Sequence, residues 1–487
     1  MRRRRIGFNL LDPSSPSSSL RLNLDLAHPF ILIRNCCIMK ARSLYPSLVS
    51  VILAGLVASE RPNIVLIISD DQAWTDYGFM GHEHIQTPRL DRLAAESATF
   101  KRGYVPTALC RPSLMTLATG LYTHQNRTSG NDPADTEQNA AYAKATGKTA
   151  KELLVSHIDE LPTLPRLLGE AGYLSHQSGK WWEGSYQRGG FTHGMTRGYP
   201  EPGGRHGDDG LKIGREGLDP IFDFVDEAQK QYKPFFVWYA PFLPHTPHTP
   251  PDRLFNKYKD LVESEFVAKY YAMCEWFDET CGQLLDGLEE RGVRENTLVI
   301  YVTDNGWIQQ KDRNGYARHS KRSPYEAGTR TPIMFSWPGK IVPTDRHELC
   351  SSIDIVPTIL AAAKISGPRN LPGLDLVPAL TSDKRIRRDT LFGEAFAHDI
   401  ADIHKPEASL LYRWVIEDEW KLLLSYDGRP GKMRYPPDET SPLLFNLKAD
   451  PHERNDLAAS NQRIVKRLAR KIDRWWPVEE RTVKGLN

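Results

Sequence analysis

Residues 64 to 68 read Ile-Val-Leu-Ile-Ile, an unbroken run of aliphatic side chains that stops at Asp70 and Asp71. A strand with one wet face alternates apolar and polar positions, so a run without alternation predicts a strand covered on both faces. The pattern returns at residues 235–239, which lead into a Pro/His loop, and at residues 298–302, which lead into Thr303, Asp304, Asn305 and Gly306. Between such runs lie stretches of helical period. After Thr87 and Pro88, a capping pair, Leu90, Leu93 and Ala94 fall at spacings of three and four. Alternating strands and helices predict an α/β fold with a large, mostly parallel central sheet and helices on both faces. Ligands of such sheets bind beyond the carboxyl ends of the strands. From about Leu391 the texture changes to short alternating stretches at 413–416, 420–425 and 443–447, then a helical stretch at 461–476. The expected layout is a catalytic α/β domain over 60–390 and a smaller antiparallel C-terminal subdomain with a terminal helix over 391–487. Residues 183–218, rich in Gly, His and Arg and without periodicity, predict a long loop of the kind that borders a site.

The amino-terminal stretch differs. Met39, Lys40, Ala41 and Arg42 supply a positive flank, residues 48–57 an apolar core, and Ala58 and Ser59 a small-residue cleavage site ahead of Glu60. That order predicts a removed secretory signal at 39–58, preceded by an over-extended start, and a periplasmic or secreted protein without a stable membrane anchor. The formal charge of +2 is carried by this stretch, because residues 1–58 hold eight Lys/Arg and two Asp/Glu. What remains is 63 − 8 = 55 basic and 61 − 2 = 59 acidic residues, or −4. Such a balance leaves no footprint for nucleic acid. Cys110, Cys274, Cys281 and Cys350 follow the signal; Cys274 and Cys281, seven apart on a predicted helix, are about 10 Å apart and too distant to bridge, so this is not a disulfide scaffold.

Two oxygen-only pairs, Asp70 with Asp71 and Asp304 with Asn305, end two predicted strands. Adjacent carboxylates need a cation, and four hard donors without Cys or His favour Ca²⁺ or Mg²⁺. Pro112 opens a helix whose buried stripe is Leu114, Leu117 and Ala118 and which Gly120 ends, so Cys110 stands at its N-terminus beside Arg111. A thiol there is a candidate nucleophile with a depressed pKa.

At these residues the chain resembles the type I sulfatases of the alkaline phosphatase superfamily. Cys110, Pro112, Ser113, Leu117, Thr119 and Gly120 match the family signature. Nearly the whole mature chain shares the resemblance, through Arg61-Pro62-Asn63, residues 87–94, Gly179-Lys180-Trp181, Pro244-His245-Thr246-Pro247, Thr303-Asp304-Asn305-Gly306, residues 321–332 and residues 447–457 with Asp450-Pro451. The resemblance implies a sulfuric ester hydrolase in which a formylglycine-generating enzyme oxidises Cys110 to formylglycine. Asp70, Asp71, Asp304, Asn305 and the modified Cys110 would hold one Ca²⁺. Lys180 and Lys321 would bind sulfate, and His245 would protonate the leaving alcohol oxygen, with His248 a weaker competitor. Two departures suggest a variant subfamily. Leu114 stands where the family has an arginine, for which Arg111 is the nearby substitute, and Trp182 stands where the family has a histidine, for which His193, Arg197 or His206 could stand in. The expected substrate is a sulfated saccharide or small aryl or alkyl sulfate, with Trp181, Trp182, Tyr186, Phe191 and Tyr199 available to stack on sugar rings. The alternatives are a phosphate or phosphonate monoester hydrolase of the same superfamily and a non-catalytic glycan-binding relative.

Overall fold

The computed structural model describes residues 61–382, 384–426 and 442–479. The expected signal at 39–58 lies outside the described residues. Within them, no helix is long and apolar enough to cross a membrane.

Six strands form the body of a nine-stranded sheet: β1 (Asn63–Ser69), β2 (Ala98–Tyr104), β3 (Leu174–Gly179), β4 (Phe235–Ala240), β5 (Thr297–Thr303) and β6 (Arg330–Ser336). Their spatial order is β2-β6-β5-β1-β4-β3, with short strands at Cys350–Ser351 and Thr344–Arg346 on β2 and at His193–Gly194 on β3. β1 pairs in parallel with both β4 and β5, Ile64 lying opposite Phe236 and Leu298. Only β6 runs against its neighbours.

The unbroken aliphatic run of β1 is explained by two cores. Ile64, Leu66 and Ile68 join Trp238, Ile300 and the helix Cys110–Thr119 on one face of the sheet. Val65 and Ile67 join Val237, Tyr301 and the helices Asp219–Lys230 and Glu265–Glu290 on the other. Each side chain so buried contributes roughly 1.5–3 kcal/mol. The helix Pro88–Ala95 forms as its stripe predicts, but its cap is tertiary. Thr87 donates to Asp91 instead, and the Arg89 and Leu90 N–H groups donate to the Asp278 carboxylate of the long helix. Cys274 and Cys281 lie on that long helix, and all four described cysteines are free and buried.

The C-terminal stretch is a four-stranded antiparallel sheet, Thr390–Phe396, Leu410–Glu417, Trp420–Ser425 and Leu443–Asn446, in the order 1-2-3-4. The helix Gln462–Trp475 covers one face through Val465, Leu468 and Ile472. The other face buries Trp414 and Leu423 against Tyr104 and Tyr325.

The order β5-β1-β4-β3 brings four strand ends side by side, and the chain leaves them as Asp304, Asp70, the 241–248 loop and Lys180. The end of β3 is tight, because Gly179 has φ +85° and a Cβ there would stand 1.8 Å from the Ala240 carbonyl oxygen. Gly179→Ala is expected to lower unfolding free energy by more than about 2 kcal/mol, read from urea denaturation. An unchanged midpoint would show that the β3–β4 junction can open.

Candidate active site

Asp70 leaves β1 directly, and its carboxylate accepts from Lys180 Nζ at 2.8 and 2.9 Å. Asp71 adopts the left-handed region, φ +68°, which short polar side chains tolerate. Its N–H donates to Asp304 Oδ1 at 3.0 Å, and its carboxylate accepts from Asn305 Nδ2 at 2.6 Å and from Lys321 Nζ at 2.6 and 2.7 Å. His245 Nε2 lies 3.3 Å from Asp71 Oδ2. His245 Nδ1 faces the Thr246 carbonyl at 2.5 Å. A carbonyl only accepts, so the proton of the neutral ring is on Nδ1 and Nε2 faces the cluster. Cys110 opens its helix, and its sulfur lies with ligand atoms of Asp70, Asp71 and His245 within 4.8 Å of one another.

Burial raises Asp70 well above the ordinary carboxylate range, opposed by Lys180 and reinforced by Asp304 and Asp71, and it raises Asp304 likewise. Burial alone would depress both lysines, yet Asp70 holds Lys180 and Asp71 holds Lys321 above their ordinary values. His245 is driven well below its usual value by burial, then by Lys180 and Lys321. Cys110 departs from expectation. Burial pushes its thiol up to about 12, overriding the two lysines, so the helix N-terminus does not make it a thiolate at neutral pH.

Three carboxylates face two ammonium groups here, and two buried oxygens, Asp304 Oδ2 and Asn305 Oδ1, have no hydrogen-bond partner among the described residues. Orphaned acceptors beside excess negative charge are what a cation satisfies. The all-oxygen set of Asp70, Asp71, Asp304 and Asn305 fits a hard divalent ion.

A cavity of roughly 390 Å³ opens above this cluster, floored by Cys110, Lys180, His245 and Lys321. Trp182 forms part of its wall, with the Arg205 guanidinium 4.9 Å from the ring and His206 at 5.3 Å. The 183–218 stretch is thus a built wall rather than an open loop, fastened by Trp181 N–H to the His206 carbonyl at 3.2 Å.

Other expected residues land elsewhere. Arg111, expected in the reaction centre, is committed to a bidentate pair with Glu183 at 2.7 and 2.7 Å and to the Asn131 carbonyl at 3.1 Å. It bears on the cavity only through Asn131, whose Nδ2 lies 3.3 Å from His398 Nε2. His193, expected to bind substrate, sits on the edge strand beside β3, its Nε2 3.5 Å from Glu227 and its ring against Phe224. Arg197 is turned outward to Asp208 and Asp209, leaving His206 as the stand-in that reaches the cavity. Of the aromatic group, Trp181 and Phe191 are core, edge-on to Trp238, with Tyr186 packed against that core. Tyr199 lies under Lys151, and only Trp182 faces the cavity. His248 is buried against Tyr270 and Trp307. Leu114 is core.

The sequence reading missed Asn131, Trp307 and His398, which line the cavity, and Glu183, which holds Arg111. His398 comes from the C-terminal stretch and is held by a two-residue ladder, Asp399–Ile400 beside Asp132–Pro133. No local signal marks it. Glu183 had one, since it directly follows Trp182 in a motif already singled out.

Comparison with known proteins agrees with this geometry. A Sulfatase family model matches residues 62–365, and the model of the N-sulphoglucosamine sulphohydrolase C-terminal region matches residues 315–476. The chain is 28% identical over 467 residues to N-acetylgalactosamine-6-sulfatase of Canis lupus familiaris, covering 86% of each chain. It is 30% identical over 399 residues to human arylsulfatase A, covering 71% of this chain and 73% of that one. The fold is similar to that of Ps i-CgsB, crystallised with k-i-k-neocarrahexaose, at a TM-score of 0.66 and 24% identity, covering 86% of this chain and 94% of that one. With the family model lying along residues 62–365 of a sheet that gathers these groups at its carboxyl edge, the chain belongs to the sulfatase family.

Proposed function

We propose that this sulfatase hydrolyses sulfuric esters of a saccharide outside the cytoplasm, using one Ca²⁺ and a formylglycine made from Cys110 by a formylglycine-generating enzyme. The observation that carries the reading is the meeting of Cys110 with Asp70, Asp71 and His245 within 4.8 Å, between two buried lysines. Asp70, Asp71, Asp304, Asn305 and residue 110 would hold the ion. When bound, the ion would supply a positive charge to polarise sulfate oxygens, and a hydrated aldehyde at residue 110 would supply the nucleophilic hydroxyl. The saccharide is supported by the name of the N-acetylgalactosamine-6-sulfatase relative and by Trp182 in the cavity wall. Export rests on the 39–58 pattern, and the division at about residue 390 on the change of sheet type.

The chain's own residues take the remaining roles. Lys180 and Lys321, held by Asp70 and Asp71, keep fixed positive charge where negative charge gathers on the transferring group. Donors already oriented need no reorganisation as that charge develops. His245 presents Nε2 to the cavity, and an incoming monoanionic ester raises its proton affinity, so it can carry a proton to the leaving oxygen. His206, which lines the cavity beside Trp182, would be the polar group offered to the ester where the family has a histidine.

Four outcomes test these roles. In protein from its native host, the peptide containing residue 110 is expected about 18 Da lighter than the cysteine form by mass spectrometry. Cys110→Ala should fold and not turn over nitrophenyl sulfate; an unshifted peptide mass in active protein would remove formylglycine from the reading, and preference for nitrophenyl phosphate would replace it with the phosphoester one. Asp304→Ala should lose bound Ca²⁺ by elemental analysis together with activity, and full metal content would remove Asp304 from the ligand set. His245→Ala should slow alkyl or sugar sulfates about 10²-fold or more while costing nitrophenyl sulfate much less. Equal losses would place the acid elsewhere.

A further inference from the structure

Away from the cavity, Glu326, Lys421 and Glu453 form a buried ion triad where the C-terminal sheet meets the stretch that carries Lys321. Lys421 lies on Trp420–Ser425, with Nζ 3.0 Å from Glu326 Oε1 and 3.1 Å from Glu453 Oε1, and none of the three side chains is more than 1% exposed. Glu326 Oε2 also accepts from Tyr104 Oη at 3.0 Å, and Glu453 accepts from the Glu326 N–H. Burial raises Glu453 to about 7, with Lys421 pulling it down and Glu326 pushing it up.

As a source of stability the arrangement is poor. Desolvation costs several kcal/mol per ion, and apolar side chains of similar volume would join the two layers as well or better. What a buried ion set provides and an oily contact does not is a fixed direction and register. The piece it fixes is the short helix Glu326–Thr329, whose backbone touches three site-bearing stretches. The Gly328 carbonyl accepts from Gly306 N–H at 2.9 Å, directly after Asp304 and Asn305. The contact is so close that a Cβ on Gly306 would stand 2.0 Å from the Ala327 carbonyl oxygen. The Thr329 carbonyl accepts from Val105 N–H at 2.8 Å, on the approach to Cys110, which is held again by Arg322 N–H to the Ala108 carbonyl at 2.7 Å. Gly328 itself sits on the Ser320 carbonyl, beside Lys321, where a Cβ would be 2.3 Å away.

We propose that Lys421 and Glu453 are positioning residues of the active site: through Glu326 they hold the backbone that places Lys321, the Asp304–Asn305 turn and the approach to Cys110. The proposal rests on the roles given to those residues above. The C-terminal sheet then belongs to the reaction centre's framework although neither Lys421 nor Glu453 lines the cavity.

The test compares Glu453→Gln, Lys421→Met and Lys421→Arg with Arg413→Met. Arg413 is equally buried in the same sheet but bonds Tyr426 and Asp473, on the side of the C-terminal helix. Melting temperature, kcat and KM for nitrophenyl sulfate well below every melt, and amide hydrogen exchange of residues 303–329 are measured on the full chain. Glu453→Gln and Lys421→Met are expected to lower kcat about 10-fold or more and to speed exchange across 303–329, with Lys421→Arg recovering most of both. Arg413→Met should lower the melting temperature comparably while leaving kcat and that exchange at wild-type values. The proposal is overturned if Glu453→Gln loses only melting temperature and leaves exchange over 303–329 unchanged; this variant adds no volume and decides the matter if Lys421→Met does not fold. Absence of sulfate turnover by the wild type would sink the functional reading alone, because exchange reads the positioning without it.

Discussion

The constraint on which the architecture turns is electrostatic. Three carboxylates, from Asp70, Asp71 and Asp304, and two ammonium groups, from Lys180 and Lys321, are buried together at the floor of the cavity. Two unit charges about 4 Å apart interact by about 4 kcal/mol at the effective dielectric of a protein, so neither set is tolerable without the other. The fold meets this requirement by ending parallel strands side by side, so that Asp70 and Asp71 arrive from β1, Lys180 from β3 and Asp304 from β5, with Lys321 on the stretch that follows β5. The oxygens left over, Asp304 Oδ2 and Asn305 Oδ1, define what else the cluster takes in.

How much of this the sequence revealed depends on whether chemistry was tied to backbone direction. The aliphatic run of β1 could be read because a strand with two apolar faces has a composition of its own, and the residues at its carboxyl end were thereby assigned to the ligand-binding edge. Asp70, Asp71, Lys180, His245, Asp304, Asn305 and Cys110 all follow from that rule together with the family motif. Which way β6 runs was not legible, since the residue types of a strand do not record its direction.

Side-chain direction in loops was the other gap. Arg111 adjoins Cys110 in sequence, but successive residues of a helix point about 100° apart, and its guanidinium turns to Glu183 rather than to the carboxylate cluster. His193 and His206 belong to one irregular stretch and are equivalent on paper; pairing of His193–Gly194 with β3 sends the first to the sheet edge, while the turn ending at Asp208–Lys212 brings the second to the wall. Trp181 and Trp182 divide between core and cavity for the same reason, one residue apart. The contribution of His398 depends on a chain separation of more than two hundred residues that no window could span.

Cys110 is almost fully enclosed, and every residue of its helix through Thr119 is buried with it. No enzyme can draw that segment into its own catalytic cleft without first dismantling the centre of the molecule, at a cost comparable to the whole of its marginal stability. The conversion proposed for position 110 would therefore belong to biogenesis, before this helix is packed into the interior.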